Sequence, residues 1–209
     1  MERRDFDKDA ATWDEVPGRI KMANNIANTI IDAIALNSDM RVLDFGCGTG
    51  ALALRLQPLV GSITAVDSSM GMLETLNQKI TSQNISNVTT KHLDIEQGDV
   101  LEGCYDLLVS SMTLHHVRKP RLLIEQFHNI VSPHGYLCIA DLDPDHGLFH
   151  GNSNEGVFHF GFDREAMRRT LKETGFNNIE FCTAAEIVRF IPGGIRPFTI
   201  FLVTGQKSM

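Results

Sequence analysis

The stretch Val42-Leu43-Asp44-Phe45-Gly46-Cys47-Gly48-Thr49-Gly50 constrains this chain more than any other. An apolar run carrying one acid opens into three alternate glycines, and a helical pattern starts directly after them. That order predicts a buried strand, a tight turn and the first turn of a helix. Glycines at alternate positions let backbone approach a ligand where a Cβ would collide. Gly46-x-Gly48-x-x-Ala51 also satisfies the loose dinucleotide pattern, with Asp67 about twenty positions on to bond a ribose. Asp44 argues against a dinucleotide. Its carboxylate precedes the turn by two residues, inside the crevice. A pyrophosphate at ~4–6 Å would be repelled there by an energy of kcal/mol order. A ligand carrying an ammonium or sulfonium group is attracted instead.

The rest of the chain supplies a frame for that turn. Ile20, Ala23, Ala27, Ile30, Ile31 and Ile34 recur at helical spacing and predict a helix over 19–36. Strands are expected at 41–45, 62–67, 87–93, 105–110 and 136–140. Between them lie helices at 50–57 and 119–131, and one carrying Met70, Leu73, Leu76 and Ile80 behind a Ser68 or Ser69 cap. Asp163 caps a further helix over 163–174, and Gly175 ends it. Two β-rich runs, 177–183 and 197–204, flank Pro192-Gly193-Gly194 with no helix between, so they are expected to pair antiparallel. The result is an α/β fold: a doubly wound, Rossmann-like, mostly parallel seven-stranded sheet with an antiparallel C-terminal strand. Residues 1–209 form one domain, with 1–38 a helical lid segment, 39–209 the core and 141–161 a loop over the substrate. Ligands in such sheets sit beyond the carboxyl ends of the strands.

Charge and cysteine usage narrow the function classes. A formal net charge of −7 disfavours a nucleic-acid substrate, since phosphate backbones are repelled. Arg164, Arg168 and Arg169 are read as a solvated helix face. Four scattered cysteines without CxxC spacing fit a reduced, cytoplasmic protein. The charged start of the chain is not a signal peptide, and no apolar run reaches the ~20 residues of a membrane span. The oligomeric state is not readable.

The order of motifs resembles the class I S-adenosylmethionine-dependent methyltransferases. Val42–Gly50 is similar to their first motif and Ala65–Ser69 to the second. His92-Leu93-Asp94-Ile95 resembles the segment that meets adenine, Tyr105–Val117 the fourth motif, and Ser132–Asp141 the strand after it. Phe6–Arg19 is similar to the mouth of small-molecule methyltransferases of the quinone-biosynthesis type. The resemblance implies S-adenosylmethionine as cofactor. Gly46, Gly48 and Gly50 then give it room, and Asp44 orients its ammonium. Asp67 takes the ribose hydroxyls, while Ser68 and Met72 flank the adenosine. Asp94 and the Ile95 amide meet the adenine. Ser110 and Met112 line the path to the sulfonium, and Trp13 and Arg19 close the entrance. Two rivals remain on the sequence alone: a protein that binds this cofactor without transferring methyl, and an NAD-dependent oxidoreductase.

The acceptor side is less defined. His115 and His116 follow the fourth strand at the crevice mouth, where a base near neutrality would serve a phenol or enol. His146, His150 and His159, with Asp141, Asp143 and Asp145, raise a metal reading. The His146-x-x-x-His150 spacing suits a helix, but Gly147 interrupts it, so no metal is expected. Ser110-Ser111-Met112-Thr113 stands where base-modifying and glutamine-modifying relatives often carry an Asn/Asp-Pro-Pro-aromatic run. The expected acceptor is a small uncharged or apolar molecule.

Overall fold

Alternation along the strands sorts the interior into two cores. The computed structural model describes residues 4–151, 154–192 and 194–209; positions 152–153 of the expected substrate loop, and Gly193, lie outside them. In β1 (Arg41–Phe45), Val42 faces one core, and Leu43 and Phe45 face the other. In β4 (Tyr105–Ser111), Leu107 and Val109 join the first core and Leu108 the second. In β5 (Val131–Leu142), Cys138 and Ala140 join the first, and Leu137 and Ile139 the second. Side chains alternate with a period of two, so apolar residues on both faces give the near-continuous apolar runs seen in the sequence.

Helices cover both faces. α1 (Pro17–Ala33) lays Ile26, Ala27 and Ile30 on the first core, beside α2 (Ala53–Leu56) and Leu73 and Leu76 of α3 (Met70–Ser82). α4 (Pro120–Ile130) and α5 (Arg164–Glu173) cover the second through Leu123, Ile124, Phe127, Met167 and Leu171. Phe127 is fully buried, so Phe127→Ala would cost ~3–5 kcal/mol. Ser69 caps α3 by accepting from Met72 N–H, and Asp163 caps α5 by accepting from Ala166 N–H.

Seven strands form one sheet in the order β3-β2-β1-β4-β5-β7-β6, where β2 is Ser62–Asp67, β3 Val88–His92, β6 Phe176–Ile191 and β7 Gly194–Lys207. All pairings are parallel except those of β7, which runs antiparallel to β5 and β6. The connections reverse direction between β1 and β4. The crevice beyond those two strand ends is therefore the ligand position.

Four elements differ from expectation. The helix after the glycine turn is only Ala53–Leu56, followed by a 3-10 turn at Gln57–Leu59 that begins on Pro58's side of the chain. β5 starts five residues earlier than expected: Val131 pairs with Tyr105 before a shift to the Leu107–Tyr136 register. The Pro133-His134-Gly135 turn interrupts that pairing, with His134 at φ 63°. β6 and β7 extend into a long hairpin whose outer part carries exposed apolar residues, Phe190 being 87% exposed. Among the described residues no helix is long and apolar enough to cross a membrane.

Candidate active site

The glycine turn is fastened to β2 before it reaches any ligand. The N–H groups of Gly46 and Cys47 donate to the Val66 carbonyl at 2.9 and 3.0 Å. Gly48 adopts φ 53°, and a Cβ there would meet nothing within 4 Å. It faces open space in a cavity of about 190 Å³. Gly50 is glycine for another reason. A Cβ there would lie 2.3 Å from Leu76 Cδ1, so it serves the packing of α3, and it does not line the cavity. Gly46 borders the cavity, but its missing Cβ makes way for Thr113, whose Oγ1 would be 2.3 Å away.

Asp44 lies at the floor of this cavity, 1% exposed. Its Oδ2 has no hydrogen-bond partner among the described residues. Burial, and then the charge of Asp67, push its pKa up to about 7, against a stabilising N–H from Ala53. An unpaired buried polar atom costs ~1–3 kcal/mol. A cationic donor in the cavity would remove that penalty, whereas a phosphate would add to it. Asp67 sits at the rim. Its Oδ2 accepts Gly48 N–H at 2.8 Å and its Oδ1 accepts Ser69 N–H at 2.9 Å. A carboxylate at a strand end is the residue type that accepts from a pair of adjacent hydroxyls. Asp94 is buried, accepting Glu96 N–H at 3.0 Å while its own N–H donates to Asp99 at 2.8 Å. Asp94, Ile95, Ser68 and Met72 line the same wall.

The N-terminal segment closes the cavity from outside. It forms two 3-10 turns, Phe6–Lys8 and Ala10–Glu15. Asp14 accepts from Thr49 Oγ1 at 2.7 Å and from Lys79 Nζ, which also donates to the Thr49 carbonyl at 2.7 Å. Asp7 accepts Gly71 N–H at 2.9 Å. The guanidinium of Arg19 lies 3.8 Å from the Trp13 ring centroid and donates to the Trp13 carbonyl at 3.1 Å. Both residues face the cavity.

On the far side, a turn after β4 carries the two adjacent histidines. His115 is 1% exposed, and its Nδ1 lies 2.7 Å from Asp141 Oδ1. Asp141 also accepts Leu142 N–H at 2.7 Å. Burial works to raise the pKa of Asp141, but His115 and these bonds outweigh it and hold the carboxyl below its usual value. His116 lines the cavity; its Nδ1 is 2.7 Å from the Gly156 carbonyl, which can only accept, so Nδ1 carries the hydrogen. Burial, then the neighbouring His115, lower the His116 pKa to about 3. His150 comes from the loop after β5 and stacks at 5.1 and 5.7 Å between ring centroids from His115 and His116. Its pKa falls to about 4 from burial and then His115.

Comparison with known proteins supplies the family. A family model described as a methyltransferase domain matches residues 19–181. The chain belongs to the methyltransferase family. A malonyl-[acyl-carrier protein] O-methyltransferase of Acetivibrio thermocellus is 28% identical over 188 residues, covering 88% of this chain and 61% of its own. An uncharacterized methyltransferase of Schizosaccharomyces pombe is 28% identical over 163 residues, covering 71% of this chain and 57% of its own. The methyltransferase described here thus spans well under two thirds of the length of these curated relatives. In structure, a chain in the complex of the Haloferax volcanii Trm112 methyltransferase activator superposes with a TM-score of 0.81 at 15% identity, covering 100% of both chains. That likeness concerns the fold. The quinone-biosynthesis branch suggested by Phe6–Arg19 is not singled out by these relatives.

The methyltransferase brings most of the sequence-predicted residues to one cavity: Asp44, Gly46, Gly48, Asp67, Ser68, Met72, Asp94, Ile95, Met112, Trp13, Arg19 and His116 all line it. Ser110 does not. Strand alternation turns it toward the Leu108 side, where its hydroxyl donates to the Phe45 carbonyl at 3.0 Å. Ser111, on the other parity, lines the cavity instead. His115 also lies behind the wall, bonded to Asp141. His116, expected as a base near neutrality, is held neutral far below it. Thr49, Lys79 and Asp14 were not singled out one by one as site residues, although Thr49 lies in the glycine turn and Asp14 in the Phe6–Arg19 entry segment. Their signal is a set of polar contacts between segments far apart in sequence. The carboxylates of the metal set raised and set aside from the sequence have other partners: Asp143 pairs with Arg164 at 2.7 Å, and Asp145 accepts Phe149 N–H at 2.8 Å. His159 Nε2 lies 3.0 Å from the Val117 carbonyl.

Proposed function

We propose that this methyltransferase uses S-adenosylmethionine to methylate a small, uncharged or apolar acceptor held beside Met112 and His116. The observation that carries the reading is Asp44, a buried carboxylate with an oxygen left unpaired at the floor of the cavity. It accepts an ammonium and disfavours a pyrophosphate, which sets aside the oxidoreductase reading. When bound, the cofactor supplies an activated methyl group on a positively charged sulfur.

The chain's residues supply position and exclusion of water. Asp67 holds two hydroxyls by charge-assisted bonds while its own geometry is fixed by the N–H groups of Gly48 and Ser69. Asp94 and the Ile95 amide suit an adenine edge. Trp13 and Arg19, tied to the turn through Asp14 and Lys79, shield the cavity from solvent and act as a lid. Of the expected substrate loop, Gly156 reaches the cavity on the side proposed for the acceptor. A nucleophile held ~3–3.5 Å from the methyl carbon and in line with its bond to sulfur needs little further help. With a pKa of about 3, His116 orients an acceptor but is too weak a base to deprotonate it at neutral pH. The acidic net charge supports a metabolite rather than a nucleic acid.

Calorimetric titration with S-adenosylmethionine and S-adenosylhomocysteine tests the cofactor. One site per chain is expected for each, and no heat with either would sink the reading. Transfer of a labelled methyl group into a metabolite extract is then expected from the wild-type chain but not from Asp67→Ala.

A further inference from the structure

Three imidazole rings from two distant segments meet at the edge of the cavity. One ring nitrogen each of His115, His116 and His150 lies within 4.8 Å of the others. The surrounding hydrogen bonds determine which nitrogens are free. Asp141 occupies Nδ1 of His115, and the Gly156 carbonyl occupies Nδ1 of His116, so each presents an Nε2 lone pair. Nε2 of His150 is buried with no partner among the described residues. A buried ring nitrogen without a partner leaves this polar arrangement incomplete. Metal-ligating histidines characteristically donate their other N–H to a carboxylate or a backbone carbonyl. Two of these three rings already do so.

We propose that His115, His116 and His150 bind one divalent transition-metal ion of the zinc class, with an open position on the His116 side. Imidazole ligands suit zinc, copper, nickel or iron rather than magnesium or calcium. Three protein ligands with a fourth position free is the pattern of catalytic rather than closed structural zinc. Bonds of ~2.0–2.1 Å place ligand nitrogens roughly 3.3–3.4 Å apart in a tetrahedron, so the rings draw in by about an ångström on binding. The χ2 torsion of histidine is soft enough for that adjustment, and His150 lies on a loop. This trio differs from the set suggested by sequence spacing, of which only His150 takes part.

His116 faces the cavity, so the open position does too. In the methyl transfer proposed above, on which this part rests, an acceptor hydroxyl binds there and loses its proton to water at lowered pKa. The oxygen lone pair then forms the bond to the methyl carbon as the carbon–sulfur bond breaks with its electrons to sulfur.

The test is calorimetric titration of Zn²⁺ into the metal-stripped, tag-free chain near neutral pH, with Co²⁺ absorption in parallel. One Zn²⁺ per chain is expected, with an intense visible Co²⁺ band of tetrahedral type. His150→Ala and His116→Gln should weaken uptake roughly tenfold or more, and His146→Ala should leave it unchanged. Cofactor affinity in His150→Ala should stay within about threefold of wild type, less than ~1 kcal/mol. Absence of uptake, uptake that survives His150→Ala, or a weak octahedral Co²⁺ spectrum overturns the site. Should a variant fail to fold, the wild-type Co²⁺ spectrum still decides. Cofactor binding without metal uptake would overturn the site and leave the methyl-transfer reading standing. Metal uptake without cofactor binding would do the reverse.

Discussion

The glycine turn and the histidine cluster lie across one cavity, yet they are built in different ways. The end proposed for the cofactor is made of strand ends: Asp44 after Leu43, Asp67 at the end of β2, and Asp94 just beyond β3. Its carboxylates are set by nearby backbone N–H groups, such as those of Gly48 and Ser69 on Asp67. The acceptor end is assembled from residues 115–116, 141, 150 and 156, which only the folded chain brings together. One end leaves a carboxylate oxygen of Asp44 unpaired; the other leaves one imidazole nitrogen, Nε2 of His150, unpaired. Both call for an electron-poor guest, but of different kinds. A short peptide turn can specify the first, and a tertiary arrangement is needed for the second.

The largest expected effect separates the ends by stability. Asp141→Ala removes one member of the buried pair with His115, both residues being at most 1% exposed. Left without their acceptor, the buried His115 Nδ1–H and Leu142 N–H should together destabilise the fold by ~3–5 kcal/mol, measured by urea unfolding, while a cofactor titration on the folded fraction changes little. A loss below about 1 kcal/mol would show that another acceptor replaces Asp141. Asp67→Ala tests the other end. Affinity for S-adenosylhomocysteine should fall by ~2–3 kcal/mol, because two charge-assisted bonds are lost. Unchanged affinity would mean the ribose lies elsewhere.

Asp44 gives a smaller effect with a definite sign. Its pKa is about 7 in the folded chain and 3.8 as a free side chain. The ligand-free fold therefore binds a proton that the unfolded chain releases. This contribution is fully present at low pH and is lost as pH rises through about 7. Asp44→Asn should raise the stability of the ligand-free chain by roughly 1–3 kcal/mol at about pH 8 and weaken cofactor binding. In the wild type, affinity for a cationic cofactor should rise from about pH 6 to about pH 8, as Asp44 becomes charged. A flat profile would place the ammonium away from Asp44. The smallest effect concerns the lid. Asp14→Asn weakens the ties to Thr49 and Lys79 and should lower cofactor affinity by ~1 kcal/mol, read by calorimetry. No loss would mean that the N-terminal segment does not shield the site.

Much of the frame was legible because its signals are local. The strand at 41–45, the strand at 62–67 and the Asp163 cap all depend on residues adjacent in sequence. The helix after the glycine turn was overextended, since Pro58 signals a stop but not that only one turn of α-helix precedes it. Ser110 was misplaced by one residue because a strand shows its two faces in alternation, and the motif alone does not say which face holds the cavity. His116 lines the cavity, and burial and the adjacent His115, acting through space, lower its pKa to about 3, which no local pattern in the sequence encodes.

The sequence by itself determined the doubly wound sheet, the glycine turn and the acids that follow its strands. Those features arise from periodicity and from groups a few residues apart. Only the tertiary structure decided that Asp44 keeps an unpaired oxygen, that Asp14 and Lys79 fasten the lid, and that His150 joins His115 and His116. Burial, dielectric environment and hydrogen-bond partners are properties of the packed chain, and no local pattern encodes them.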